Sequence, residues 1–128
     1  MALFDLEVVD YFMRTRAIGY IQVNNNAQAI DGVSFDAQLD MILAYVNLND
    51  FDLVNVFFDI GEFASVAECI GLQQSFAILD SGEASALVVY KLDYLSLNVL
   101  DVLHLISEIV GYGASLHSIV EGLDTQSG

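Results

Sequence analysis

Four short apolar runs set the strongest limit on what this chain can fold into. They read AIGYIQV at residues 17–23, LVNVFF at 53–58, ALVVYK at 86–91 and ASLHSIV at 114–120. Short apolar runs bounded by polar or turn residues read as strands. The segments between them carry a helical period instead. Ser34 is placed to cap a helix and Asp36 favours its first turn. Leu39, Ile42, Leu43 and Val46 follow at intervals that share one helix face. Gly71 to Leu79 reads as a second helix, with Leu72, Phe76 and Leu79 on one side. Asn98 to Val110 reads as a third. Its apolar face is Val99, Val102, Leu103, Ile106, Ile109 and Val110, and Gly111 is placed to end it. Strands alternating with helices predict an α/β domain built on a mostly parallel sheet.

The 128 residues suit one domain with one core. There is no proline, low-complexity tract or internal repeat. Asn24 to Val33 reads as a loop with an Asp31-Gly32 turn, and Asp80-Ser81-Gly82 as another turn. Asp59 to Ile70 shows no clear period and reads as a loop. The charge is lopsided: three Lys and Arg face eighteen Asp and Glu, for a net charge of -15. Arg14 and Arg16 lie near the N-terminus, leaving Lys91 as the one other cation. Affinity for nucleic acid rests on Lys and Arg at phosphates, so DNA and anionic membranes are both disfavoured. The plainer meaning of the acidity is that it keeps an apolar chain in solution. A single Cys69 rules out an internal disulfide framework and is compatible with a reducing compartment. No apolar run approaches the roughly 18 residues of a membrane span. Asp5, Glu7 and Asp10 break any signal-peptide pattern. The expectation is a soluble, cytoplasmic domain.

In parallel sheets, sites form at the C-terminal ends of strands. Asn24, Asp59 and Asp93 fall there. Gln22, Asn24, Asn25, Asn26 and Gln28 form an amide-rich loop that can donate and accept hydrogen bonds. It holds no usual nucleophile or proton-transfer group, and asparagine tolerates left-handed turns, so spacing alone makes it a turn. Asp59, Glu62, Glu68 and Asp93 could hold a hard cation such as magnesium. They lack tight ligand spacing and read as solvated or helix-capping carboxylates. His104 falls on the third helix and His117 on the fourth strand, without zinc spacing. Dinucleotide, P-loop and nucleophile-elbow motifs are absent, and no cofactor or metal is expected.

Three stretches nevertheless resemble one family. They are RAIGYIQVNNNAQAIDGVSFDAQ from Arg16, DSGEASALVVYKLD from Asp80, and KLDYLSLNVLDVLHLISEIVGYGASLHSIVEGLDT from Lys91 to Thr125. Together they look like the catalytic domain of the serine recombinases of the resolvase/invertase family, over residues 13 to 128. The resemblance implies a resolvase-like three-layer α/β domain, its four- to five-stranded, mostly parallel sheet flanked by helices. MRTRAIGY resembles a usual start for such proteins, which makes residues 1–12 an upstream extension. It also implies a long dimerisation helix and a DNA-binding domain beyond Thr125, which this sequence lacks.

The family cuts and exchanges DNA strands through a serine at the end of the first strand, with arginines around the scissile phosphate. Its pattern there is Tyr-x-Arg-Val-Ser; here it reads Tyr20, Ile21, Gln22, Val23, Asn24. Asn24 thus stands at the nucleophile's position and Gln22 at an arginine's, while Gln28 matches the family's glutamine. After the third strand, Lys-x-Asp-Arg-Leu-x-Arg becomes Lys91, Leu92, Asp93, Tyr94, Leu95, Ser96, Leu97. Asp93 is kept, and Tyr94 and Leu97 replace arginines. In the middle loop Phe63-Ala64 stand for Ser-Gly, and Cys69 for an arginine before Ile70-Gly71-Leu72. The resemblance therefore implies a DNA recombination scaffold, by descent or by design, whose catalytic set is replaced: a pseudoenzyme. Two further readings stand beside it. One is an acidic interaction module, a homodimer or a heteromer with an active recombinase, or a competitor of DNA. The other is a decayed or redesigned sequence with no selected function.

Overall fold

Apolar residues on both faces of a strand require cover on both faces, and the first run obtains it. It becomes β1, Arg16–Val23, in which Ala17, Ile18, Tyr20 and Ile21 are fully buried. In the computed structural model, which describes Val8, Met13–Asn24 and Gly32–Gln126, β1 lies between β2 (Asp52–Ile60) and β3 (Ala86–Val89). β4 (Ser115–Ser118) and β5 (Leu123–Asp124) complete a sheet of order β2-β1-β3-β4-β5. All pairs are parallel except β4 with β5. Helices α1 (Phe35–Leu48), α2 (Ile70–Ser81) and α3 (Val99–Gly111) connect the parallel strands.

Alternate residues of each strand feed two cores. Ile18, Tyr20, Leu87, Val89 and Leu116 pack with Leu72, Phe76 and Leu79 of α2 and with Leu105 and Ile109 of α3. Ala17, Ile21, Ala86 and Val88 pack with Ile42 and Val46 of α1. This is the expected three-layer arrangement, and it explains why β1 and β3 read as unbroken apolar runs rather than alternating ones. Among the described residues, no helix is long and apolar enough to cross a membrane.

Local signals set the element ends. Ser34 Oγ accepts from Ala37 N at 3.1 Å and starts α1. Asn98 Oδ1 accepts from Leu100 N and Asp101 N and starts α3. Gly82, in the left-handed region at φ 81°, closes α2.

Several expectations are corrected. β2 continues through Asp59 and Ile60 instead of ending at Phe58. The turn expected at Asp80-Ser81 is the last stretch of α2, and only Gly82 turns. β3 stops at Val89, short of Lys91, and β4 spans four residues rather than the seven of 114–120. β5 is the fifth strand that the resemblance allowed for, and no apolar run marks its position. The inward face of α3 is shifted: Ile109 is buried and Ile106 packs on the core as expected, and Leu105 joins them, whereas Val99, Leu103 and Val110 are 71%, 55% and 53% exposed. Leu43 of α1 is likewise exposed. Gly111 is the last residue of α3, but the left-handed glycine that releases the chain toward β4 is Gly113, at φ 78°.

Candidate active-site cleft

The C-terminal ends of β1, β2 and β3 open onto a cleft of about 440 Å³. β1 contributes Gln22 and, just past its end, Asn24. The segment after β2 contributes Glu62 and Cys69, the segment between β3 and α3 contributes Asp93 and Leu97, and the first turn of α3 contributes Asp101. Five of the seven residues singled out in sequence, Gln22, Asn24, Cys69, Asp93 and Leu97, therefore line one cavity. Tyr94 does not line it. Its hydroxyl accepts from Val33 N at 3.3 Å, and its ring stacks on Tyr90 at 6.0 Å. Gln28, Asn25 and Asn26 lie outside the described residues.

Beneath the cleft runs a chain of buried hydrogen bonds. Asp59 accepts from Tyr20 Oη at 2.7 Å, Gly71 N at 2.8 Å and Leu72 N at 3.0 Å. A carboxylate that accepts the first amides of α2 complements the positive end of that helix. This is the helix-capping role foreseen for these acids, and it explains why β2 runs on into a carboxylate. α2 can start so close because Gly71 has no side chain: a Cβ there would lie 2.3 Å from Phe58 O. Gln22 Nε2 donates to Tyr20 Oη at 3.1 Å and to Cys69 Sγ at 3.5 Å. Burial, then Asp59, pushes the Tyr20 hydroxyl above its ordinary range. Burial, then Asp59, also pushes the Cys69 thiol up. Both groups stay protonated at neutral pH, and a thiol is a poor nucleophile beside a thiolate.

The rim is acidic. Glu62, Asp93 and Asp101 line the cleft, and no Lys or Arg does. Lys91 Nζ sits 3.3 Å from Asp93 Oδ2, a pairing that raises the lysine's pKa. Ser96, which lines the cleft, accepts from Asn98 N at 3.1 Å and donates to Asp101 Oδ2 at 3.4 Å, bonds that tie it to the start of α3. The four acids weighed as a cation site do not converge: Asp59 is spent on α2, and Glu68 accepts from Ala64 N at 2.7 Å. Among the described residues no group of three His, Cys, Asp or Glu could hold a metal. His104 is exposed on α3 and His117 buried on β4, and neither lines the cleft.

Sequence reasoning missed Gln38. It is fully buried, and its Nε2 donates to Gln22 O at 2.9 Å and Val33 O at 3.0 Å. One amide thus clamps the two ends of the segment 23–32 to α1. The available signal was its spacing, four residues before Ile42 and eight before Val46 on the inward face of α1.

A three-layer α/β domain with its cleft at the C-terminal ends of parallel strands is the architecture of a recombinase catalytic domain. The family model described as Resolvase, N terminal domain, matches residues 17–128, and the chain belongs to that family. The N-terminal catalytic domain of TP901-1 integrase superposes with a TM-score of 0.78 at 23% identity, covering 89% of this chain and 84% of that one. A resolvase family site-specific recombinase from Streptococcus pneumoniae gives 0.76 at 25% identity, covering 90% and 78%. The C-terminal catalytic domain of ISC1926 TnpA, an IS607-like serine recombinase, gives 0.69 at 17% identity, covering 81% and 67%. No curated protein matches the chain.

Proposed function

We propose that this domain keeps the recombinase catalytic fold without its strand-cleaving chemistry. One observation carries the reading: the side chain at the end of β1 in the cleft is the amide of Asn24, and no cation lines the cavity. The family resemblance puts a serine at that position and arginines at Gln22, Cys69, Tyr94 and Leu97. An amide does not form the phosphoester that links a recombinase to a DNA end. One preorganised donor at a developing oxyanion is worth about 2.7–4 kcal/mol, so four neutral replacements remove most of the transition-state stabilisation. Gln28 and Asp93 are retained members of a set that no longer works.

The test is a denaturing gel. A labelled duplex bearing the site of an active resolvase family recombinase is incubated with this chain alone, and with that recombinase as positive control. The control should give a covalent protein–DNA band and this chain none. A band with this chain that disappears in Asn24→Ala would overturn the proposal.

A second reading is favoured by α3, whose exposed Val99, Leu103 and Val110 form an apolar stripe. The domain, residues 13–128 after an extension at 1–12, is then an interaction module of the cytoplasm. In a heteromer the dimerisation helix of an active recombinase would cover the stripe, and in a homodimer the stripe of a second copy would. Co-elution with such a recombinase, abolished by Leu103→Asp, is the expected result; separate elution removes this reading. With a net charge of -15, the domain should not retard DNA on its own near physiological salt.

A further inference from the structure

The outward side of α1 carries an apolar pattern that the cleft and α3 leave unused. Its inward side is Gln38, Ile42 and Val46, all buried. Facing away from the sheet, Ala37, Met41, Ala44 and Leu48 recur at steps of four, three and four residues, and all four are exposed. Met41 is 43% and Leu48 86% exposed. Single apolar residues on a surface need no partner. Residues that repeat about every 3.5 positions form the seam of paired helices. Asp36, Asp40 and Asn47 border the seam on one side. On the other stands Tyr45, whose hydroxyl is 2.8 Å from His117 Nδ1.

The seam alternates small and large. A two-fold axis passing between Ile42 and Leu43 would lay α1 of a second copy antiparallel on it. Ala37 then meets the partner's Leu48, and Met41 the partner's Ala44, so every large side chain falls on a small one. Facing layers of that kind interdigitate without voids. The same residues serve both copies, as a closed two-fold contact requires. Charge selects the same orientation. Asp36 lies in the first turn of α1, and no basic residue lies in its last. A parallel pair would set Asp36 on Asp36 and Asp40 on Asp40. The antiparallel pair sets them beside the partner's Leu43 and the partner's Asn47, both neutral. It also lays the positive end of each helix by the negative end of the other. We propose that the outward side of α1 is a self-association face, whose occupant is α1 of a second copy of this chain, antiparallel.

The seam spans about 16 Å, so the contact falls below the roughly 1,200 Å² of a stable interface. The pair is therefore transient, with a dissociation constant on the order of 100 μM. Each copy also carries a net charge of -15, which opposes association. Salt screens that repulsion, so the pair should tighten as salt rises, the reverse of a contact held by ion pairs. The face is separate from the α3 stripe and stands whether or not that stripe is covered.

The experiment is sedimentation equilibrium of the whole chain up to about 1 mM, in about 0.15 M and about 0.5 M salt. A monomer–dimer equilibrium that strengthens with salt is expected. Met41→Ala and Ala44→Met should each weaken it about fivefold or more, the first by leaving a gap and the second by setting two large side chains together. The double variant should return it to within about twofold, because large and small merely change places. Leu103→Asp should leave it unchanged, which separates this contact from one through α3. Both α1 positions are exposed, and amide dispersion in NMR checks that each variant is folded. A chain that stays monomeric throughout, a dimer indifferent to both single variants, one not restored by the double variant, or one abolished by Leu103→Asp would each overturn the proposal.

Discussion

Replacing Asp59 by alanine should damage this domain more than most single substitutions. The carboxylate is buried and accepts three hydrogen bonds, from the Tyr20 hydroxyl and the Gly71 and Leu72 amides. Bonds to a charged acceptor contribute roughly 1.5–3 kcal/mol each, but their sum overstates the effect because the carboxylate is itself costly to desolvate. Loss of a helix N-cap alone costs about 0.5–2 kcal/mol. Three donors left buried without an acceptor place the expected loss at about 3–5 kcal/mol, against a total stability of roughly 5–15 kcal/mol. Urea unfolding at neutral pH, followed by circular dichroism, reads this directly. With a slope of about 2 kcal/mol per molar, the midpoint should fall by about 2 M. Asp59→Asn keeps one acceptor oxygen but sets an amide against two N–H groups, and should cost less than alanine. Tyr20→Phe removes one bond, about 1 kcal/mol, and should cost less once Asp59 is gone. A loss below about 1 kcal/mol for Asp59→Ala would refute the argument that this carboxylate ties β2, β1 and α2 together.

Gly71→Ala should be severe as well, because its Cβ would meet the Phe58 carbonyl at 2.3 Å and backbone must move; thermal unfolding reads it. Ile109→Ala should cost about 2–5 kcal/mol and Leu103→Ala no more than about 0.5, reversing what the spacing of α3 predicts for Leu103. Stability should fall as pH drops below the histidine's unfolded value of 6.5, because burial lowers His117 in the folded state. The unfolded chain then binds the proton more readily, and the decline flattens once pH passes below the folded value. His117→Gln should shrink that slope in urea titrations across the same pH range.

Much of the layer order was legible in residues 17–23 and 86–91, because strands covered on both faces cannot hide their apolarity. The ends were less legible. Asp59 resembles a loop residue until the amides of α2 are brought to it, and no local pattern announces a helix start eleven residues later. β5 has two residues, Leu123 and Asp124, too few for any period. α3 is apolar around most of its circumference, so its inward face is decided by the neighbours of Leu105 and Ile109 rather than by its own sequence. In the cleft, Gln22, Asn24, Cys69 and Leu97, which the resemblance makes substituted, lie together with Asp93, which it makes retained. Their support did not show: Gln38 acts through backbone carbonyls, and which carbonyls those are is a property of the folded loop.

The contact of Gly71 with the Phe58 carbonyl has a wider meaning. The geometry of the cleft is held by backbone, by a capping carboxylate and by an absent side chain, none of which is a reactive group. Placement and reactivity are therefore separable in this domain. Residues 22, 24 and 69, the positions that the proposed reading makes substituted, are distinct from Asp59, Gly71 and the Phe58 carbonyl that hold the cleft. A serine and arginines grafted there would arrive on a mount already assembled, which makes the domain a ready host for transplanted chemistry.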